Sequence, residues 1–245
     1  MKKIIFKKIK FLSLNENEFF KIIKKNGLFV FPSGPGLSSI NKDNIYLKAL
    51  QNSDYVFFDS GYFVLLLNLL KNIKVKKFSG YLFIKLFLSY LENKEKKLLL
   101  INPNKKLSIS YIRYLKKIGI KPNMIFNYIA PFYDTKKLHD KKLLRLVNKI
   151  KPDYILINIG GGIQEVLGSF LKKNIRFKKK IFCTGAAIAF LTSDQAPLSY
   201  FIDKIYLGWL FRIIFNPKIF LPRYLKSFSL ISIVQNEKIK VISNY

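Results

Sequence analysis

Short runs of apolar residues alternate along this chain with longer segments in which apolar positions recur about every three to four residues. Short apolar runs bounded by turn residues are typical of buried strands, and the longer spacing is typical of amphipathic helices. The runs predict strands at 28–31, 55–58, 97–101, 124–128, 154–159 and 180–183. The helical patterns that follow them lie at 44–52, 62–70, 82–91, 108–118, 136–150 and 164–171. This alternation predicts an α/β fold with a largely parallel sheet.

The pattern changes after residue 198, where the segments become aromatic and basic. Five apolar residues there share one face of a predicted helix: Leu207, Leu210, Phe211, Ile214 and Phe215. Positive charge lies nearby at Arg212, Lys218, Arg223 and Lys226. We predict a main domain at 1–198 and a C-terminal appendage at 199–245, in which 228–245 has the pattern of a strand pair or a loosely held tail. Such an appendage suits an anionic membrane surface, and a terminal helix packed on the domain is the alternative.

The composition narrows the class of protein. The chain has 245 residues, of which 50% are hydrophobic, so it can bury one large core. Its formal charge of +30 would normally indicate nucleic acid or an anionic membrane as a partner. The lysines, however, are spread through nearly every segment beside many Ile, Asn, Phe and Tyr residues, which indicates compositional bias. We therefore expect no nucleic acid partner, while a basic RNA-binding protein stays as an alternative hypothesis.

Cys183 and His139 are single residues of their types, which excludes an internal disulfide and a Cys/His zinc site. No apolar run reaches the ~20 residues that a membrane-spanning helix needs. The segment from Met1 to Leu12 lacks the continuous apolar stretch of a secretory signal. We expect a cytoplasmic protein that touches at most the inner face of the cell membrane, with a homo-oligomer as an open alternative.

Two loops that follow predicted strands carry candidate chemistry, because ligands collect at the carboxyl ends of parallel strands. After the first strand, Ser33 and Gly34 could wrap a phosphate or a sugar, or simply form a tight turn. After the second strand, the Asp59 carboxylate could take a proton from a hydroxyl nucleophile, or merely cap the next helix. We favour a general base, because the chain has only 14 acidic residues and most others lie among lysines.

A third loop, Gly160-Gly161-Gly162, joins the apolar run at 154–159 to a predicted helix that starts with Gln164 and Glu165. The loop lacks the spacing of a dinucleotide fingerprint or of a P-loop. Three consecutive glycines cost conformational entropy that a plain turn would not require, so we expect ligand contact here. Its backbone amides would hold a diphosphate, and Gln164 would read a base or a sugar hydroxyl.

These segments resemble the WecG/TagA/CpsF glycosyltransferases, known as glycosyltransferase family 26. Residues 53–59 are similar to the family's strand that ends in Asp-Gly, and residues 160–165 to its Gly-x-Pro-x-Gln-Glu loop. Residues 208–224 are similar to its Trp-Leu-aromatic-Arg segment with a downstream Pro and Arg-Tyr. Gly80 stands where the family has a glycine before a helix. The order of these segments holds over most of the chain.

The resemblance implies a Rossmann-like domain with helices on both faces of the sheet. It implies transfer of a sugar, often of the N-acetylmannosamine type, from a UDP donor to a polyprenyl-diphosphate-linked acceptor. Such reactions serve cell-surface polysaccharides such as O-antigen, capsule or teichoic acid. Asp59 would be the base, Gln164 part of the donor site, and Arg212 and Arg223 would complete the site beside the membrane. The reaction would invert the anomeric carbon, and the absence of an Asp-x-Asp motif agrees with a reaction without metal or cofactor.

The chain departs from the family pattern at several positions. Asn102-Pro103-Asn104 replaces a glycine pair, and Ala189 replaces an aspartate. A divergent branch with a different nucleotide sugar fits these departures. Two other hypotheses stay open: an S-adenosylmethionine or dinucleotide enzyme in which Asp59 binds a ribose, and a noncatalytic membrane adaptor in which Asp59 is expendable.

Overall fold

The computed structural model describes residues 1–92, 94–194, 210, 213–214 and 216–243. The strands are β1 (Lys2–Phe6), β2 (Ile9–Ser13), β3 (Gly27–Val30), β4 (Tyr55–Phe57), β5 (Leu98–Asn102), β6 (Ile125–Ile129), β7 (Tyr154–Ile157), β8 (Lys180–Cys183) and β9 (Lys240–Ser243). Together they form one sheet in the order β6-β5-β7-β8-β3-β4-β2-β1-β9. The pairs from β6 to β2 are parallel, and β1 is antiparallel to both β2 and β9. The predicted α/β fold with a largely parallel sheet is confirmed.

Helices cover both faces of the sheet. They are α1 (Glu16–Ile22), α2 (Gly34–Ser38), α3 (Asn44–Gln51), α4 (Gly61–Lys71), α5 (Gly80–Leu91), α6 (Lys105–Lys117), α7 (Lys141–Ile150), α8 (Ile163–Asn174), α9 (Ala187–Leu191), α10 (Pro217–Lys226) and α11 (Ser229–Asn236). One apolar core joins the sheet to α2, α3, α4, α7, α8 and α11. The other core joins the opposite face to α1, α5, α6 and α9. The predicted strands β3, β4, β5, β7 and β8 are therefore mostly buried, as their apolar runs require, whereas β6 lies at the edge of the sheet and is partly exposed.

The amino-terminal hairpin of β1 and β2 was not predicted from the sequence. Lys7 and Lys8 form its turn with φ values of 51° and 61°, between the paired residues Phe6 and Ile9. A two-residue hairpin turn with positive φ at both positions normally carries Asn or Gly. Because lysines occupy these positions, the sequence gives no turn signal, and the pattern of residues 1–12 indicates only a basic segment.

The end of the chain differs from its sequence pattern. The segment 228–245 suggested a strand pair or a loose tail, but the structure has α11 followed by β9. Leu230, Ile233 and Val234 are buried at helical spacing, and α11 packs against α4 and α2. The β-branched residues of this segment mimic a strand pattern, and tertiary packing overrides it. The division of the chain near residue 198 stays a prediction, because residues 195–209 lie outside the described part.

Within the described residues, no helix combines the length and the apolar character needed to cross a bilayer.

Gly168 allows α8 to approach the sheet closely. A Cβ atom at this position would lie 2.7 Å from Cys183 Sγ on β8 and 2.7 Å from Leu28 Cδ1 on β3. We expect Gly168→Ala to lower the free energy of unfolding by about 1–3 kcal/mol through overpacking, measured by urea denaturation. Gly160→Ala is the matched control, because its Cβ would have no neighbour within 4 Å. A Gly168→Ala chain as stable as the control would contradict this prediction.

Candidate active site

A cavity of about 400 Å³ opens at the carboxyl edge of the sheet. It is walled by the loops that follow β3, β4, β5, β7 and β8, together with residues of α10. The predicted site residues that line it are Ser33, Gly34, Asp59, Gly80, Gly160, Gly161, Gln164, Glu165 and Arg223. These residues come from distant parts of the chain, and the sheet brings them together.

The sheet has a switch point beside this cavity. The chain leaves β5 into α6 on one face, and it leaves β7 into α8 on the other face. Neighbouring strands whose helices diverge in this way open a crevice between their carboxyl ends, where open α/β sheets bind ligands. Pro103 and Leu107 after β5 and Asn158 after β7 line this part of the cavity.

Asp59 lies half-buried in the cavity wall, two residues beyond β4. Its Oδ1 accepts a hydrogen bond of 2.8 Å from the Gly80 backbone N–H, at the first residue of α5. The helix cap that the sequence offered as the alternative role belongs to Ser60, whose Oγ accepts from Phe63 N–H at 3.2 Å. The cap interpretation of Asp59 is therefore wrong, and the carboxylate is held at the amino end of α5 instead.

The glycine loop forms the opposite wall through Gly160 and Gly161. Gly162 is not among the lining residues. It turns the chain into α8 with φ of 89°, which favours glycine, and its N–H donates to Glu165 Oε2 at 2.7 Å. The loop faces the β3 loop, since a Cβ atom on Gly161 would lie 3.9 Å from Ser33 Oγ.

Glu165 is a buried carboxyl, only 1% exposed, that holds this loop in place. Its second oxygen, Oε1, accepts a hydrogen bond from Gln164 Nε2 at 3.0 Å. Burial raises the pKa of Glu165 from its ordinary value of 4.5 to about 7, and the negative charge of Asp59 adds to this rise. Hydrogen bonds from Gly162 and Gln164 act in the opposite direction. Glu165 thus fixes the amide of Gln164 while both line the cavity.

The β3 loop contributes Ser33 and Gly34. Ser33 caps the short helix α2, and its Oγ accepts from Gly36 N–H at 3.3 Å. A Cβ atom at Gly34 would lie 3.0 Å from Ser60 Oγ, so a glycine allows this loop to touch the β4 loop. The loop therefore forms both a turn, as the simpler interpretation held, and part of the cavity wall.

The helix α10 closes one side of the cavity with Phe220, Arg223 and Tyr224, and Ser227 directly after the helix also lines the cavity. The helix packs against α2, which covers one face of the sheet. Arg212 lies outside the described residues. Of the predicted apolar stripe, Leu210 and Ile214 are described, and the Ile214 side chain is 68% exposed.

A model of the WecG/TagA/CpsF glycosyl transferase family matches residues 5–243 of the chain. The chain belongs to this family. It is therefore a glycosyltransferase of cell-surface polysaccharide synthesis, as the resemblance predicted. A search among curated proteins found none that matches.

The sequence did not point to several polar residues of the cavity in this family member, and three of them lie on or after the strands β7 and β8 and after α9. Asn158, Thr184 and Asp194 all line the cavity. Two of them had a signal in the sequence: Asn158 is a polar residue inside the apolar run at 154–159, and Thr184 directly follows a predicted strand. Asp194 accepts hydrogen bonds from Ser110 Oγ at 2.6 Å and from Thr192 Oγ1 at 2.5 Å. Nothing in the local sequence marks that pairing.

Within the described part of this glycosyltransferase, no group of three or more His, Cys, Asp or Glu side chains is placed to hold a metal ion. The metal-independent reaction stays a prediction from the sequence.

Proposed function

We propose that this glycosyltransferase moves a hexose, of the N-acetylmannosamine type or a related one, from a UDP-sugar to a polyprenyl-diphosphate-linked acceptor. The observation that carries the proposal is the cavity in which Asp59, the glycine loop with Gln164, and Arg223 meet. A carboxylate, backbone amides at a strand end and an arginine are the groups that activation of a hydroxyl and departure of a diphosphate require.

In the proposed mechanism, the acceptor hydroxyl attacks the anomeric carbon of the donor from the side of Asp59. The hydroxyl proton passes to the Asp59 carboxylate as the new C–O bond forms. The bond between the anomeric carbon and the diphosphate oxygen breaks in the same displacement, which inverts the anomeric configuration. The hydrogen bond from Gly80 orients the Asp59 carboxylate for this role.

The departing UDP carries negative charge that the site must stabilise. We assign this role to the backbone N–H groups of Gly160 and Gly161 and to the Arg223 guanidinium, which can replace a metal ion. Glu165 keeps the loop in position through Gly162, and so acts as a positioning residue.

The location at a membrane surface is part of the same proposal. Apolar side chains are exposed on α10 and directly after it: Ile219, Leu221, Leu225 and Phe228. Lys218 and Lys226 lie beside them in the sequence and are also exposed. Exposed apolar side chains flanked by lysines suit the headgroup region of an anionic bilayer. A peripheral position on the inner face of the membrane would bring the lipid-linked acceptor to the side of the cavity that α10 closes.

The proposal predicts release of UDP that depends on both substrates. Purified protein is incubated with a detergent-dispersed polyprenyl-diphosphate sugar and a panel of UDP-sugars, and free UDP is measured. We expect release with one donor class and only when the lipid acceptor is present. Failure of UDP to bind at all would overturn the UDP donor, and release that ignores the acceptor would overturn transfer to the lipid.

A further inference from the structure

A chain of side-chain amides crosses the carboxyl edge of the sheet from β7 to β6. Asn158 Nδ2 donates to Asn102 Oδ1 at 2.8 Å, and Asn102 Nδ2 donates to Asn127 Oδ1 at 2.9 Å. Asn127 Oδ1 also accepts from Ser108 Oγ at 2.6 Å. Asn102 is fully buried and does not line the cavity, so its amide serves to hold Asn158.

The chain of amides ends at an acceptor without a partner. Asn158 is only 3% exposed, and its Oδ1 has no hydrogen-bond partner within the described structure. Since Nδ2 is directed to Asn102, the oxygen is the end left for the cavity that Asn158 lines. Thr184 Oγ1, buried in the same cavity, likewise has no partner in the part of the chain described. Buried polar atoms are rarely left without a hydrogen bond, so both atoms indicate a bound group.

The position of Asn158 indicates which part of the donor it meets. Asp59 follows β4 and Asn158 follows β7, and three strand spacings, or ~14 Å, separate these strands. In a nucleotide sugar, the two phosphates and the ribose lie between the anomeric carbon and the base. With the anomeric carbon beside Asp59, the nucleoside extends toward the crevice between β5 and β7. Pro103, Leu107 and Tyr111 give that crevice apolar surface for a base or a ribose.

We propose that Asn158 Oδ1 accepts a hydrogen bond from the nucleoside of the donor and that Asn102 is its positioning residue. The group recognised is an N–H or O–H donor, which the imide N–H of uracil or a ribose hydroxyl would supply. The inference rests on the proposed function, in which the donor is a nucleoside diphosphate sugar. It gives a role to Asn102, the last residue of β5, which does not itself line the cavity.

The test is calorimetric binding of UDP, N3-methyl-UDP and 2′-deoxy-UDP, with ADP, GDP and CDP as further ligands. The proteins are the wild type, Asn158→Ala, and the double variant Asn102→Ala/Asn158→Ala. In the single variant, Asn102 Oδ1 loses its hydrogen-bond donor while it stays buried. The double variant removes both side chains of this hydrogen bond, so neither amide is left buried without its partner. Asn148→Ala, at an exposed position on α7, is the matched control.

We expect the wild type to bind UDP about tenfold more tightly than one of the two analogues, because one hydrogen bond is lost. Preference over the N-methyl analogue identifies the base, and preference over the deoxy analogue identifies the ribose. Both Asn158 variants should bind UDP about tenfold more weakly and lose this preference, while the control keeps it.

The other outcomes separate the inference from the proposed function. Variants that keep the wild-type affinity and preference overturn the role of Asn158, as does a wild type that binds UDP and both analogues equally. Binding of another nucleoside diphosphate in place of UDP, with the same dependence on Asn158, overturns the UDP donor and supports the inference. A wild type that binds no nucleoside diphosphate overturns both.

Discussion

Asp59→Asn is expected to lower the rate of sugar transfer by about 10²- to 10⁴-fold while UDP still binds. The amide cannot take the proton of the attacking hydroxyl, so the general-base contribution is lost. Its Oδ1 can still accept the 2.8 Å hydrogen bond from Gly80 N–H, and the side chain keeps its volume. The change therefore removes the general base and keeps the hydrogen bond from Gly80.

The measurement is the initial rate of acceptor-dependent UDP release, with UDP affinity determined on the same preparations. Asp134→Asn is the matched control, since Asp134 is an exposed residue that caps a surface 3₁₀ turn and does not line the cavity. It removes the same charge from the chain. An Asp59→Asn protein that binds UDP and transfers sugar at the wild-type rate would contradict the role of Asp59. Absence of transfer in both proteins, with UDP still bound, would favour the noncatalytic adaptor.

The buried Glu165 is expected to make stability depend on pH. Its pKa is about 7 in the folded protein, against an ordinary value of 4.5. Between these two values the folded chain holds a proton that the unfolded chain has released, so rising pH favours unfolding. Below pH 4.5 both states are protonated, and above pH 7 both are ionised, so the whole effect falls within that window. The expected loss of stability across it is about 3 kcal/mol.

Glu165→Gln tests this directly, because glutamine does not titrate. The free energy of unfolding is measured by urea denaturation from pH 4.5 to pH 8 for the wild type and the variant. As pH rises over this range, the free energy of unfolding of the wild type should fall by about 3 kcal/mol relative to that of the variant. Glu92→Gln, at an exposed position after α5, should show no such change. A constant difference between wild type and Glu165→Gln would contradict the raised pKa.

Local sequence patterns predicted six of the nine strands of the described structure. The six predicted strands are largely apolar runs, because strands in the middle of a covered sheet are buried on both faces, and β3 to β8 follow these runs closely. The hairpin of β1 and β2 escaped prediction because Lys7 and Lys8 occupy turn positions that usually carry Asn or Gly. Helix α11 escaped because its β-branched residues carry a strand pattern that only packing against α4 overrules.

The sequence by itself determined the fold class and the loops in which the site would lie, because strand ends and glycine runs are local features. It also determined the family, through segments spread over most of the chain. Only the tertiary structure decided that Gly80 holds Asp59 across 21 residues and that Asn102 holds Asn158 across 56. Strand order sets such partners, and strand order depends on long-range packing that no local pattern records.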